Sequence, residues 1–167
     1  MTSTKTRVLN DSQVRQKIRR MAFEIYENNF SEKSVVLAGI DGQGYSLARE
    51  IGKELTSISP LKVIPVRVLM NKQTPQDGEV TLDVEFDTLK KKSVILVDDV
   101  LNTGRTLAYG IKPFLSVEVK KIEVAVLINR SHPQFPIHPQ YTGYELSTTL
   151  NEHVTVVLGE KSAVHLY

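Results

Sequence analysis

The sequence predicts an α/β fold: a central, mostly parallel sheet flanked by helices. Three observations predict it. Apolar runs rich in β-branched residues recur at residues 35–38, 93–97 and 122–129. Between them lie stretches whose apolar residues fall three and four apart, as on one face of a helix. Glycine-bearing loops join the ends of the first two runs to the helical stretches that follow. Alternation of strand and helix favours parallel strands joined by right-handed crossovers.

Val14, Ile18, Met21, Ala22 and Ile25 predict an amphipathic helix over residues 11–29, capped by Asp11 or Ser12. Residues 35–38 form a short strand, Gly39, Gly42 and Gly44 a tight turn, and Leu47, Ala48, Ile51 and Leu55 the face of a second helix. A further strand runs from about residue 61 to 69, where Pro65 indicates an edge or a bulge. Residues 71–79 are polar, with Pro75 and Asp77-Gly78, and residues 80–86 alternate, which predicts a β-hairpin with a long mobile tip. The run Ser93-Val94-Ile95-Leu96-Val97 belongs at the sheet centre, covered on both faces. Two aspartates end it at an exposed loop edge, and a helix weakened by Gly110 and Pro113 follows from Arg105 to about residue 115. Residues 130–167, with three prolines and short β-like pieces near 141–144, 154–158 and 164–167, read as a small appended subregion.

Composition narrows the function classes. At 167 residues, 41% hydrophobic and 24% charged, the chain suits one domain over residues 1–167 with its own core. It has no cysteine, which excludes disulfides and thiolate catalysis. No apolar run nears the ~20 residues of a membrane span, and residues 1–10 are polar, so a soluble, cytoplasmic protein without a membrane partner is expected. With 21 basic and 19 acidic residues the charge balance neither demands nor excludes nucleic acid.

Chemistry concentrates in residues 94–106. Ligands of open parallel sheets sit beyond the carboxyl ends of central strands. There, a turn at Gly104 can aim backbone N–H groups at an anion, Thr103 and Thr106 add hydroxyls, and a helix start favours negative charge. Asp98 and Asp99 can accept hydrogen bonds from sugar hydroxyls or hold a divalent cation. Phosphate donors beside diol acceptors describe a sugar phosphate. An aspartate at a strand end or a Thr-Gly loop has a bland structural reading when taken alone; the combination is specific.

This stretch resembles the phosphoribosyl pyrophosphate (PRPP) signature of the type I phosphoribosyltransferases. Within that family, Val97-Asp98-Asp99-Val100-Leu101 with Thr103-Gly104-Arg105-Thr106 is similar to the group of bifunctional pyrimidine operon regulators and uracil phosphoribosyltransferases. So are residues 125–132, then Phe135, Pro136 and Ile137, and Tyr141, Thr142 and Gly143, in a likeness that runs over residues 19–167. The resemblance implies the type I phosphoribosyltransferase fold with a flexible β-hairpin lid and a small C-terminal hood. It implies transfer of phosphoribose from PRPP to a base, uracil foremost, with Mg²⁺ as cofactor, in a homodimer.

By the same resemblance Leu101, Asn102, Thr103, Gly104, Arg105 and Thr106 hold the 5-phosphate, while Asp98 and Asp99 serve the ribose hydroxyls and the metal. Asp41, Gly42, Gln43 and Gly44 face pyrophosphate, residues 71–79 close as a lid, and Arg130 with residues 131–137 forms the hood for the base. Three departures stand out. Gln43 replaces a basic residue, and Asp41 adds repulsion. The lid offers only Lys72 as a cation. Asn102 replaces the aspartate of hypoxanthine and guanine enzymes, which argues against a 6-oxopurine.

Arg15, Lys17, Arg19 and Arg20 form a basic cluster on the first helix. In the regulator group such a surface binds RNA; the alternative is a solvated face pairing with Glu24 and Glu27. His132 and His138 lack partners at metal-site spacing, and His153 and His165 read as surface residues. Tyr141 and Tyr144 either stack on a base or pack the tail against the sheet. Two other functions stay open: a nucleotide-responsive RNA-binding regulator, and a PRPP- or UMP-binding relative with weak or lost catalysis.

Overall fold

The computed structural model describes residues 4–167. Met1 to Ser3, the start of the polar N-terminal stretch, lie outside the described residues. The first helix, α1 (Asp11–Asn29), follows the short strand β1 (Thr6–Leu9). Its cap is Asn10, one residue earlier than expected. The Asn10 backbone is extended, its side-chain oxygen accepts the Gln13 N–H at 2.9 Å, and the Gln13 side chain accepts the Asn10 N–H at 2.9 Å. Asp11 is left to accept the Ser162 N–H at 2.8 Å, which ties the helix start to the C-terminal region.

Strand β2 (Ser34–Ile40) is buried along its whole length and leads into α2 (Gln43–Ile58). Then come β3 (Lys62–Leu69), β4 (Thr81–Leu82), β5 (Ser93–Leu101), α3 (Arg105–Gly110), β6 (Lys121–Asn129), β7 (Tyr141–Glu145), β8 (Val154–Val157) and β9 (Ala163–Leu166). Six strands form the main sheet in the order β4-β3-β2-β5-β6-β7, with only β4 antiparallel. β5 has strands on both sides and apolar layers on both faces. Ile95 and Val97 pack with Leu47, Ile51 and Leu55 of α2, while Val94 and Leu96 pack with Leu107 and Phe114. Each fully buried side chain of this size contributes about 1.5–3 kcal/mol.

Pro65 is exposed on β3, whose outer side meets a partner only at Val68 and Leu69, so the edge reading of that proline holds. The hairpin is shorter than its alternation suggested. The Asp83 N–H still donates to the Arg67 carbonyl at 3.3 Å, but the Arg67 N–H turns to the Asp83 carboxylate at 2.8 Å, so a side chain takes one of the two bonds of the next pair. The helix after β5 is shorter too. It ends at Gly110 and continues as a 3-10 turn over Lys112–Ser116, because Pro113 has no N–H to extend the α-helical ladder.

β7 corrects the reading of residues 130–167 as one appendage: Tyr141 and its neighbours pair in parallel with β6 and complete the main sheet. The true appendage is the antiparallel sheet β1-β9-β8. β1 escaped sequence analysis because it is only four residues long, half of them exposed, and among the described residues its partner strand lies at the other end of the chain. Among the described residues, no helix is long and apolar enough to cross a membrane.

Candidate active site

The aspartate pair lies inside β5 and not in a loop after it. In a regular strand side chains alternate, yet Val97 and Val100 pack on the same side and Leu96 and Leu101 on the other, so the alternation slips by one at Asp98-Asp99. The ladder to β6 pairs Asp98 and Val100 but omits Asp99. Asp98 is buried, against the expected exposed edge, because α2 begins directly over it. A methyl group on Gly44 would come within 2.8 Å of Asp98 Oδ1 and 3.0 Å of the Val97 carbonyl oxygen. Burial above all, with the Asp99 charge second, pushes the Asp98 carboxyl up to about 8, and the Lys72 ammonium 3.6 Å away only partly offsets this.

Leu101 ends β5, and Asn102-Thr103-Gly104 turn the chain into α3. Gly104 has φ +89°, in the left-handed region, and an added Cβ would lie 3.2 Å from Ile137. Glycine is therefore required both by backbone conformation and by the close packing of Ile137. The Arg105 N–H meets Thr103 Oγ1 at 3.3 Å. Among the described residues, the N–H groups of Thr103, Gly104 and Thr106 have no protein acceptor. They border a cavity of about 230 Å³ lined by residues 100–107 together with Asp98 and Lys72. α3 has only six residues, so its dipole is small and loop N–H groups supply the anion-binding character.

Residues 71–79 lie beside this cavity, with Lys72 reaching Asp98 and Gln76 accepting from Arg105 at 2.6 Å. A second pocket of about 270 Å³ shares Leu101, Asn102 and Thr103 with the cradle and is closed by Asn129, Ser131, His132, Ile137 and Pro139. Residues 131–137 are strapped to the turn at 102–104 through the backbone: the Thr103 carbonyl accepts the N–H groups of Gln134 and Phe135 at 2.9 and 3.1 Å. Ser131 adopts φ +58°, strained for a residue with a side chain, at the rim of this pocket.

Arg130 does not line either pocket. Its guanidinium is buried and turned toward residues 148–152, donating to Thr148 Oγ1 at 3.0 Å and to the carbonyls of Thr149 and Glu152. Arg130→Leu should therefore cost about 1.5–3 kcal/mol of stability, because hydrogen bonds from a charged donor to partly buried acceptors are lost. A denaturant melt indistinguishable from the parent would refute this role.

In the glycine loop, the exposed Asp41 donates its N–H to the Val68 carbonyl at 2.9 Å, Gly42 precedes the first turn of α2, and Gln43 opens it. Gln43 Oε1 is buried without a hydrogen-bond partner. A half-turn of the amide replaces that oxygen with an NH2 donor, which is what an incoming phosphate oxygen needs. Sequence reasoning passed over Arg67, on β3 beside this loop; a cation near the carboxyl end of a strand next to a glycine turn was the available signal.

The other candidates resolve into structural roles. Tyr141 is fully buried and donates to Glu123 at 3.0 Å, and Tyr144 lies under the Lys17 ammonium, so neither lines the pocket. His165 is half-buried, not a surface residue, because it pairs between strands β1 and β8, and its ring is held below its ordinary pKa, first by burial. Arg15 pairs with Asp11, Arg19 with Glu54 and Arg20 with Glu24, so each arginine of the basic cluster has an acidic neighbour. Among the described residues no three His, Cys, Asp or Glu converge as a metal cluster.

A family model described as phosphoribosyl transferase domain matches residues 5–162. A curated relative named bifunctional protein PyrR from Clostridium botulinum (strain Eklund 17B / Type B) is 34% identical over 164 residues, covering 93% of this chain and 91% of its own. Another of the same name, from Streptococcus uberis, is 36% identical over 156 residues, covering 91% and 89%. Among solved structures, a hypoxanthine phosphoribosyltransferase of Trypanosoma cruzi superposes with a TM-score of 0.72 at 15% identity, covering 89% of this chain and 84% of that one. A hypoxanthine-guanine phosphoribosyltransferase from Bacillus anthracis gives 0.67 at 16% identity, covering 84% and 82%. At such identities the structural likeness speaks for the fold alone.

Proposed function

The chain belongs to the phosphoribosyl transferase domain family, and on that premise we propose that it transfers phosphoribose from PRPP to uracil, giving UMP and pyrophosphate. One observation carries the reading: unpartnered loop N–H groups beside the buried Asp98 border a cavity that adjoins a second, hooded pocket. In the reaction the bond from ribose C1 to the pyrophosphate oxygen breaks. A bond from the ring nitrogen to C1 forms, and the ring nitrogen loses its proton. Positive charge develops on the sugar, so the protein's task is to orient both partners, place negative charge beneath C1 and exclude water.

Thr103, Gly104 and Thr106 would grip the 5-phosphate, Asp98 and Asp99 the ribose hydroxyls, and Gln43 and Gly44 the pyrophosphate. Asn102 borders the base pocket, where its amide cannot take a proton from a purine, and the modest volume suits a single ring. Two adjacent carboxylates without a third ligand fit Mg²⁺ that arrives with a phosphate substrate better than a resident ion. When bound, the ion neutralises leaving-group charge.

A second reading, binding of PRPP or UMP without turnover, is favoured by the absence of a cation at Gln43. The engaged arginines of α1 leave RNA binding as the weaker proposal. Release of pyrophosphate with PRPP, Mg²⁺ and a panel of bases separates them. Turnover with uracil is expected. No turnover with any base, while PRPP and UMP still raise the melting temperature, establishes the second reading; no turnover and no shift sinks both.

A further inference from the structure

We propose that Arg67 supplies the positive charge that the glycine loop lacks and binds the pyrophosphate end of PRPP through its guanidinium. The inference rests on the transferase reading above and names a residue outside the glycine loop itself.

Arg67 pairs in register with Gly39, at the root of the loop, and the Asp41 N–H to Val68 bond fastens the loop to the same strand. The Asp83 carboxylate on the Arg67 N–H fixes the backbone there. The side chain is positioned as deliberately as the backbone. Its guanidinium carbon lies 4.3 Å from the centre of the Tyr45 ring, a stacking contact on the first turn of α2. Its Nε is 3.6 Å from Asp41 Oδ1, an ionic separation too long for a hydrogen bond.

Two consequences follow from this geometry. Asp41, which would otherwise repel an anion, has its charge offset by Arg67. The guanidinium, held by a ring and a carboxylate, still has capacity to donate: Nε is buried without a hydrogen-bond partner, and among the described residues no protein acceptor meets the terminal nitrogens. A buried donor left without an acceptor is costly, and the planar fork of a guanidinium matches two phosphate oxygens. A purely structural arginine neutralising Asp41 would be expected to close to hydrogen-bond distance. This one is held back from Asp41 and remains partly open to solvent, with 43% of its side chain exposed.

The test is titration of inorganic pyrophosphate and, separately, of UMP into the parent chain and Arg67→Gln, with the KM for PRPP measured alongside. Arg67→Gln should weaken pyrophosphate binding and raise the PRPP KM roughly tenfold to a hundredfold, the range for a lost charged hydrogen bond. The UMP-induced thermal shift should stay at the parent value, since UMP carries no pyrophosphate. Adding Gln43→Arg to Arg67→Gln should recover much of the affinity by placing a cation on the loop instead. Should Arg67→Gln not fold, Arg67→Lys carries the same test: it keeps the charge but loses the fork, and should weaken pyrophosphate alone. Unchanged pyrophosphate affinity in the variant, or an equal loss of UMP binding, overturns the role of Arg67 and leaves the transferase reading standing. A parent chain that binds neither ligand overturns both.

Discussion

Gly39→Ala should be among the most damaging single substitutions in the chain, lowering stability by about 3 kcal/mol or more and abolishing PRPP binding. The added methyl would lie 2.5 Å from Tyr45 Cα, 2.8 Å from the Gly44 carbonyl oxygen and 2.8 Å from Tyr45 N. All three are backbone atoms, so no side-chain rotation relieves the overlap; the start of α2 must move. That movement would separate the glycine loop from β5 and expose Asp98, over which Gly44 is closed. Gly42 offers the internal control, because nothing lies within 4 Å of its added Cβ and only its φ of +96° resists alanine. Gly42→Ala should cost about 1–3 kcal/mol, because φ +96° with ψ −135° is a backbone region that glycine alone adopts readily, with no steric overlap added to it. Chemical denaturation of the two variants measures both values, and equal costs would mean that the packing of Gly39 against α2 is not what makes it indispensable.

Asp98→Asn should separate function from stability in opposite directions. On the proposed reading, loss of the Asp98 carboxyl group that serves the ribose hydroxyls should lower kcat/KM by roughly 10²–10³-fold, comparable to removing one preorganised electrostatic group elsewhere. Stability should change with pH in a way that identifies the group. The Asp98 carboxyl titrates near 8 in the folded chain, against an ordinary value of 3.8 when unfolded. The folded state thus binds a proton that the unfolded state has released, so stability present in acid is lost as pH rises from about 4 toward 8. Asparagine has no proton to lose. The melting temperature of the parent should fall relative to the variant between about pH 5 and pH 8, with the ligand-free proteins compared. Parallel pH profiles would show that Lys72 keeps the carboxylate ionised throughout.

The parts of the fold legible in the sequence are those fixed by local pattern. α1 spans the predicted residues because Val14, Ile18, Met21 and Ile25 all point into one core layer. β5 stands at the sheet centre because an uninterrupted β-branched run suits nothing else. What escaped depends on distant partners. β1 exists only through β9, and β7 joins the main sheet although it follows a proline-rich loop.

The site divides the same way. Asp98, Asp99 and residues 101–106 were marked by their sequence, and the structure gathers Asp98 and residues 101–106 around one cavity. Arg130 was assigned to the hood, and its guanidinium instead faces Thr148, Thr149 and Glu152. The burial of Asp98 could not be read from its neighbours, because the residue that covers it, Gly44 of α2, lies more than fifty positions earlier in the chain.

The Thr103 carbonyl, which accepts the Gln134 and Phe135 N–H groups, makes the two halves of the site a single mechanical unit. On the proposed reading, a phosphate held at residues 101–106 would fix the very peptide on which the ceiling of the other half hangs. The two substrates should therefore bind with synergy: whatever factor the first adds to the affinity of the second, the second returns to the first.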